Sequence, residues 1–288
     1  MKLFNLLDAA FIRLGFFIPD AIYLRVRYYF KFKKRLNLKH PITFNEKLQW
    51  LKLHDRKREY TIMADKVKSK NWVANIIGKE YILPNLNEWE KPEDIDFDSL
   101  PDKFVLKTNH DSGGLIICQN KNELDQSNAI RFLKRSLKRN FYKAGREWPY
   151  KDIPRRILAE PFISTISNEL TDYKFMCFNG VFKYCYTCTD RNNNNGLKLT
   201  FFDREWNKLP FTRHYPSSDE VILKPKNFEK MIELAEKLSR GTKFLRVDFY
   251  EADDRIFFGE LTFFPGCGFE EFSPEIWDTK LGELIQLH

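Results

Sequence analysis

The sequence predicts a mixed α+β fold in which strand hairpins are separated by helices. Helical patterns recur between pairs of short runs rich in aromatic and β-branched residues. Aromatic residues make up 16 % of the 288 residues, 27 of them Phe, which provides for a packed core and argues against disorder. Two turn signals, Asn179–Gly180 and the acidic run over 251–255, each join two predicted strands into a hairpin.

Residues 1–42 are predicted to form an apolar, aromatic and basic helical arm. Charged residues and Pro19 interrupt the apolar run over 3–24, so no stretch reaches the length of a membrane span. Arg and Lys then alternate with Tyr and Phe over 25–39. Such an arm either packs on the domain with its lysines in water or lies on the anionic cytoplasmic face of a membrane. We expect no nucleic-acid binding, since nothing else in the chain resembles a nucleic-acid module.

The next segment, 43–102, is predicted to be mainly helical. T-F-N-E, starting at Thr43, has the form of a capping box and predicts a helix N-terminus. A second helix is predicted from near Asp65 to Gly78, a natural C-terminal stop. Residues 81–84 are predicted as a short strand, and the acidic, proline-bounded residues 90–102 as a linker.

A strand that ends at Lys107 is followed by a small polar loop and a returning strand. Loops of small residues with free amides can close over phosphates, and a lysine supplies a point charge beside them. The loop carries Gly113 and Gly114 but lacks the order of residues of a Walker loop, so alone it is a weak signal. His110 in this loop is a candidate general base, with a surface histidine as the alternative.

The remaining chain adds further strands and helices by the same criteria. The predictions are an amphipathic helix over 128–142, a buried strand over 155–164, a hairpin over 172–189, a polar loop over 192–196, a strand over 197–203 and a helix from 228 to about 241.

The hairpin near the C-terminus carries the chemistry. Side chains alternate between the two faces of a strand. If even positions pair with even positions, Arg246, Asp248, Glu260 and Thr262 share one face. Two neighbouring carboxylates with a hydroxyl form a natural Mg²⁺ site, because Mg²⁺ prefers one or two carboxylates plus substrate phosphates. The alternative is a solvated face with an Arg–Asp ion pair, although the aromatic density here argues against exposure.

Charge and cysteine content indicate the setting. The formal net charge of +8 favours an anionic ligand, glycan or lipid surface. The five cysteines and the lack of a signal peptide predict a cytoplasmic protein.

Taken in order, these motifs resemble those of the ATP-grasp superfamily from about Thr43 to the C-terminus. Within it, the chain is similar to the TupA-like group of teichuronopeptide and surface-polysaccharide biosynthesis proteins. M-A-D-K-V-K-S-K and F-V-L-K resemble the segments with the two phosphate-facing lysines, I-L-A-E-P-F-I the strand that grips adenine, and R-V-D-F-Y with G-E-L-T the metal pair. The resemblance implies two α+β subdomains, over 103–158 and 159–288, with ATP between them and the metal site in the second.

The resemblance also implies roles for single residues. Arg246 and Lys107 would be catalytic, with Arg246 and the amides of Gly113 and Gly114 stabilising an oxyanion. Mg²⁺ would be held by Asp248, Glu260 and Thr262, the last at a position where the superfamily usually has Asn. The implied ATP-binding set is Lys66, Lys107, Gly113, Gly114, Glu160, Pro161, Phe162, Ile163, Asp172 and Lys174.

The implied activity is that of an ATP- and Mg²⁺-dependent carboxylate–amine ligase that forms an acyl phosphate. The expected substrates are a small amine, either an amino acid or an amino sugar, and a sugar acid of a surface glycan such as a capsule. A glycosyltransferase is an alternative, with the acidic run over 94–98 or Asp253–Asp254 as weak metal-site candidates. An ATP-dependent phosphotransferase and a docking protein that keeps the ATP-grasp shell are the others.

Overall fold

The computed structural model describes residues 11–13, 15–163, 171–189 and 196–287. The first ten residues of the predicted arm, and residues 192–195 of the predicted loop over 192–196, lie outside this part. The helices are α1 Asp20–Phe32, α2 Phe44–His54, α3 Glu59–Ala64, α4 Lys68–Ile77, α5 Gln126–Leu137, α6 Phe141–Gly145, α7 Phe228–Ser239 and α8 Ile276–Glu283. The strands are β1 Asn87–Trp89, β2 Phe104–Thr108, β3 Leu115–Cys118, β4 Ile157–Pro161, β5 Asp172–Phe178, β6 Val181–Thr189, β7 Lys198–Phe202, β8 Thr212–Arg213, β9 Phe244–Ala252, β10 Arg255–Thr262 and β11 Phe272–Ser273.

The α+β prediction is confirmed. A five-stranded sheet has the order β10-β9-β5-β6-β7, a four-stranded sheet the order β1-β4-β2-β3, and β8 pairs with β11 in a short ribbon. The strand pairs of all three sheets are antiparallel. Asn179 and Gly180 both have positive φ and join β5 to β6, as the turn signal predicted.

The five-stranded sheet is apolar on one face and charged on the other. Helix α7 covers the apolar face, where Phe228 packs on Phe175, which in turn meets Phe249. These rings are buried, and each such side chain contributes roughly 1.5–3 kcal/mol on burial. Since neighbouring positions point to opposite faces, Lys174 and Asp248 project away from α7.

The four-stranded sheet has a smaller core of its own, against α5. Leu133 of α5 and Leu106 of β2 belong to the same buried cluster. The predicted linker over 90–102 is part of this core, because its three apolar side chains Ile95, Phe97 and Leu100 are buried in it. The linker interpretation was therefore wrong: alternation of acidic and apolar residues here marks a packed surface segment. The predicted boundary between residues 158 and 159 falls inside β4.

Several predicted elements differ from those observed. Residues 81–84 are not a strand. A 3₁₀ turn ends at Tyr81, and the buried Lys70 side chain donates a hydrogen bond to the carbonyl of Leu83 at 2.8 Å. Helix α4 begins at Lys68, three residues later than predicted. The helix over 128–142 is divided into α5 and α6, because the Asn140 side chain accepts a hydrogen bond from Lys143 and caps a new helix.

The N-terminal arm packs against the domain through α1. Its buried residues Tyr23, Leu24 and Tyr28 form a cluster with Phe269. Beneath it, the buried ammonium of Lys52 donates hydrogen bonds to the carbonyls of Gly145 and Cys267, both at 2.7 Å, and burial lowers the Lys52 pKa to about 8. Within the described ranges, no helix is long and apolar enough to cross a bilayer.

A β-bulge at Gly259 sets the register of the C-terminal hairpin. Near the turn, Phe258 pairs with Phe249, whereas beyond Gly259 the partner of Glu260 is Asp248. A regular ladder continuing from the turn would place Gly259 opposite Asp248. The extra residue therefore brings the Glu260 side chain to the same face as Asp248. The predicted pairing of even with even positions is confirmed, and the bulge is its cause.

Replacing Gly259 with valine should disturb this register. A Cβ at position 259 would lie 3.0 Å from Cε2 of Tyr250 and 3.1 Å from the carbonyl oxygen of Asp248. Overpacking of this kind costs on the order of 1–3 kcal/mol, so we expect Gly259→Val to lower the free energy of unfolding by that amount in denaturant titrations. Lys183→Val, at an exposed position in the same sheet, is the control. Equal stability of the two variants would contradict a glycine-dependent bulge.

Candidate functional site

A cleft of about 390 Å³ lies between the charged face of the five-stranded sheet and the four-stranded sheet. This volume is within the range of roughly 300–1,000 Å³ that small-molecule sites occupy. Its walls carry a dense set of charged and hydroxyl side chains. They include Lys66, Lys107, Asp111, Glu160, Asp172, Lys174, Tyr186, Arg213, Tyr250, Arg246, Glu260 and Glu270.

The charged side chains of the five-stranded sheet that face the cleft form its floor, and Arg246 lies at the centre of this floor. Its Nε donates to Oδ1 of Asp248 at 2.6 Å, and its Nη2 donates to Oδ2 of Asp248 and Oε1 of Glu260, both at 2.7 Å. Its Nη1 donates to the Tyr186 hydroxyl at 3.1 Å. A guanidinium suits this task because its donors have a fixed planar geometry.

Lys174 supplies the second cation of the floor. Its ammonium lies 2.6 Å from Oδ2 of Asp172 and also contacts Asp248. Burial alone would lower the pKa of Lys174, but the two carboxylates raise it well above its usual range. Asp172, Lys174 and Asp248 therefore form a buried row of alternating charge across β5 and β9.

Glu260 stands at the edge of the floor, with 36 % of its side chain exposed. Burial raises its pKa, but the charges of Lys66 and Arg246 outweigh burial and lower the pKa to about 2. Lys66 is the more exposed of these two cations, and its Nζ is 3.8 Å from Oε2 of Glu260. Glu260 is therefore ionised at neutral pH and faces the cleft.

The glycine loop between β2 and β3 forms the opposite wall. Nζ of Lys66 donates to the carbonyl of Asp111 at 2.5 Å, so the lysine joins the loop to the floor. Gly114 has no room for a side chain, since a Cβ would lie 2.4 Å from Oδ1 of Asp111. His110 is buried, and its Nε2 lies 3.2 Å from the Arg139 carbonyl. His110 does not line the cleft, so both interpretations of it, a general base and a surface histidine, were wrong.

Lys107 is held by Glu160, which the resemblance to the ATP-grasp superfamily implied to be an adenine contact. Oε2 of Glu160 lies 2.5 Å from Lys107 Nζ, and Oε1 lies 2.5 Å from Lys70 Nζ. Burial raises the Glu160 pKa, but the two lysines outweigh burial and hold it below its usual range. Lys70 was missed because its position inside α4 resembles that of any surface lysine.

The cleft brings together most of the predicted positions. Those that line it are Lys66, Lys107, Gly113, Gly114, Glu160, Asp172, Lys174, Arg246 and Glu260. Asp248 lies directly beneath, with its carboxylate against Arg246 and Lys174. Pro161, Phe162, Ile163 and Thr262 are not among the described lining residues. Tyr186, Arg213 and Glu270 line the cleft and had no signal in the sequence.

The donor set fits a Mg²⁺ ion that is shared with phosphate oxygens. One nitrogen of Arg246 is 2.7 Å from an oxygen of Asp248 and from one of Glu260, so these oxygens lie no farther apart than twice that distance. Among the described residues there is no cluster of three or more acidic, His or Cys side chains that could enclose a metal. Mg²⁺ is usually bound by one or two protein carboxylates together with substrate phosphates.

Comparison with known proteins identifies the family. The model of the family described as TupA-like ATPgrasp matches residues 46–286. The chain belongs to the TupA-like ATP-grasp family. The predicted ATP-grasp fold is thereby confirmed. The match begins at Glu46, within α2, and ends just after α8, so it spans both large sheets.

Solved structures with similar coordinates include several ligases. They are D-alanine–D-alanine ligase from Bacillus anthracis with ATP (17 % identity, TM-score 0.44), the ATP-grasp ligase PsnB with a minimal precursor (8 %, 0.41) and the ADP complex of purK, N5-carboxyaminoimidazole ribonucleotide synthetase (15 %, 0.46). They cover 78 %, 71 % and 76 % of this ATP-grasp chain, which spans 65 %, 54 % and 50 % of theirs. No curated protein matched the chain.

The low pKa of Glu260 should depend on Lys66. Its folded-state pKa lies below the ordinary value of about 4.3, so ionised Glu260 stabilises the fold above that pH and loses this contribution as the pH falls toward about 2. We expect Lys66→Met to raise the Glu260 pKa in a ¹³C NMR titration, because the neighbouring cation is gone. Lys68→Met, which removes an exposed lysine two residues away, should leave it unchanged. An equal shift in both variants would exclude a specific effect of Lys66.

Proposed function

We propose that this protein is an ATP- and Mg²⁺-dependent carboxylate–amine ligase. Family membership supports the proposal, together with the meeting of Lys66, Lys107 and the Arg246–Asp248–Glu260 group in one cleft. The lysines come from different segments, Lys66 from the turn before α4 and Lys107 from β2. Cations that converge from separate elements onto a carboxylate pair are suited to a polyphosphate with a bound divalent ion.

In the proposed reaction, ATP is a substrate whose phosphates lie between Lys66 and Lys107. A carboxylate oxygen of the second substrate attacks the γ-phosphorus, the bond to the bridging oxygen breaks, and ADP leaves with an acyl phosphate formed. When bound at Asp248 and Glu260, Mg²⁺ supplies further neutralisation of phosphate charge. Positioning and charge neutralisation account for this step, so it requires no side-chain nucleophile.

The second step joins the amine to the activated acid. The amine nitrogen attacks the acyl carbon, inorganic phosphate leaves, and the nitrogen loses a proton. Arg246 and the amides of Gly113 and Gly114 stabilise the oxyanion that develops on the acyl oxygen. The floor cation Lys174 stays paired with Asp172 and Asp248 and holds them in place.

The proposed acid is a sugar acid of a surface polysaccharide, and the proposed amine an amino acid or amino sugar. The net charge of +8 favours attraction of a polyanionic uronate chain. The acidic candidates for a glycosyltransferase are outside the cleft. Asp96 accepts hydrogen bonds from the amides of Asp98 and Ser99 in an exposed turn, and Asp254 pairs with Lys226 at the hairpin tip. No observation favours that activity over the ligase.

A coupled assay tests the proposal. ADP release is measured across a panel of amino acids and uronates, with each acid and amine tested alone and together. A ligase releases ADP in step with amide product only when acid and amine are both present, and hydroxylamine traps its acyl phosphate. Phosphate transfer to an acid without any amide product would indicate a phosphotransferase, and a thermal shift with UDP-sugars but not with Mg·ATP would indicate a glycosyltransferase.

Removing either floor carboxylate should abolish turnover. We expect Asp248→Asn and Glu260→Gln to lower ADP release by at least about 10³-fold, since phosphate charge would lose part of its neutralisation. Circular dichroism checks that the fold survives. Asp254→Asn, at the exposed tip of the same hairpin, should keep wild-type turnover. Turnover near wild type in either floor variant would exclude these two carboxylates as the metal pair.

We also propose that the arm contacts the cytoplasmic face of a membrane. Phe17, Ile22 and Tyr29 are 91 %, 53 % and 48 % exposed, and basic side chains such as Arg25 and Lys31 are exposed beside them. Apolar and aromatic groups flanked by cations are suited to an anionic bilayer surface. This contact would place the cleft near a membrane-linked glycan precursor.

Vesicle sedimentation tests this contact. Phe17→Ser with Ile22→Ser should weaken binding to phosphatidylserine-containing vesicles, and Arg25→Gln should weaken it by about fivefold, since each basic residue contributes about 1 kcal/mol. Val221→Ser with Leu223→Ser removes exposed apolar side chains elsewhere and is the control. If wild-type protein does not sediment with anionic vesicles, the arm only packs on the domain.

A further inference from the structure

Arg213 is a buried cation in the cleft whose hydrogen-bonding capacity is largely unused. It lies on β8, and only 4 % of the residue is exposed. Its Nη2 donates to the Tyr186 hydroxyl at 2.9 Å, and its guanidinium carbon lies 4.7 Å from the centre of the Tyr186 ring. Nη1 and Nε have no hydrogen-bond partner among the described residues. Buried donors without acceptors are rare in proteins and costly, which points to a missing acceptor.

The counter-ion of Arg213 is close but poorly aligned. Oε2 of Glu270 lies 2.8 Å from Nε, yet neither atom makes a hydrogen bond, so the contact is one of charge alone. Gly266 leaves room for this carboxylate, since a Cβ at that position would lie 2.1 Å from Cδ of Glu270. Glu270 therefore neutralises Arg213 without satisfying its donors.

A series of side-chain contacts connects Arg213 to Lys66, the lysine that we assign to the phosphates. Lys66 contacts Glu260, Glu260 contacts Arg246, and both Arg246 and Arg213 donate to the Tyr186 hydroxyl. Arg213 and Lys66 line the same cleft, so an acid at Arg213 and phosphates at Lys66 would share it.

We propose that Arg213 binds a carboxylate of the acid substrate, called the acceptor below. The proposal rests on the ligase function proposed above. The planar end of the guanidinium, through Nη1 and Nη2, suits a carboxylate, and the Tyr186 hydroxyl can donate to the same group. Because Glu270 already offsets one charge here, a monoanion is favoured over a doubly charged phosphate.

The test follows Arg213 directly by NMR. Protein labelled with ¹⁵N-arginine and held in Mg·ADP is titrated with glucuronate, galacturonate, glutamate and acetate. Glucose, glutamine and inorganic phosphate are the comparison ligands. We expect the Nε signal of Arg213 to move with carboxylates and not with the neutral compounds. The proposal is overturned if no carboxylate moves the signal, or if phosphate moves it and the acids do not.

Variants of Arg213 and of Glu270 should change the affinity for the acid in opposite directions. Arg213→Gln should weaken the binding of the acid that wild-type protein binds best by at least tenfold, and Arg213→Lys should retain part of it, because the charge stays and the planar fork is lost. Glu270→Gln should strengthen binding, because the competing carboxylate is gone. Arg204→Gln, on the surface, is the control. Weaker binding in Glu270→Gln would mean that the Arg213–Glu270 pair serves only the structure.

Calorimetry with Mg·ADP separates this proposal from the ligase proposal. Arg213→Gln should bind Mg·ADP within about twofold of wild type, and an equal loss of nucleotide and acid binding would overturn the assignment to the acceptor. If wild-type protein fails to bind Mg·ADP, the ligase proposal fails, whereas the response of Arg213 to carboxylates, measured without nucleotide, still decides whether the anion site exists.

Discussion

The ion-pair group around Arg246 is the constraint on which the site depends. A charged group away from water requires partners, and one that loses its partner costs several kcal/mol. Arg246 meets this requirement through Asp248, Glu260 and Tyr186, and Lys174 meets it through Asp172 and Asp248. Asp248, which contacts both cations, cannot rotate away without removing a partner from each of them. The floor therefore keeps one geometry on a sheet whose other face is packed with aromatic rings.

The cations of the cleft floor and the two lysines Lys66 and Lys107 differ in the number of carboxylates that they contact. The floor cations Arg246 and Lys174 each contact two carboxylates. Among the described residues, Lys66 and Lys107 each form an ion pair with one carboxylate, that of Glu260 and that of Glu160 respectively. A polyanion that enters the cleft competes with these carboxylates for the lysines. The same principle applies at Arg213, whose charge Glu270 already offsets before a substrate acid binds. Ligand binding here would largely exchange one set of anions for another.

Much of the site could be predicted from the sequence, because strand alternation and motif order specify which side chains share a face. Asp248, Glu260 and Arg246 were found in this way, and the family match confirmed the resemblance behind Lys66 and Lys107. Predictions failed where long-range contacts decide the outcome. Leu83 is outside a strand because a lysine of α4 donates a hydrogen bond to its carbonyl. Tyr186 faces the cleft because a bulge near Met176 shifts the register of its strand. Arg213 lies in a two-residue strand with no periodicity to reveal it.

The bulge at Gly259 also has a consequence for how such chains diverge. It separates the hairpin into two registers, one set by the turn and one by the charged floor. A chain that lacks this glycine would run the ladder regularly from the turn and still place its glutamate opposite the aspartate. The carboxylate pair is thus compatible with two strand lengths that differ by one residue. Related chains are therefore best aligned with a one-residue gap allowed at this position, so that the glutamate is matched by its partner across the ladder and not by its distance from the turn.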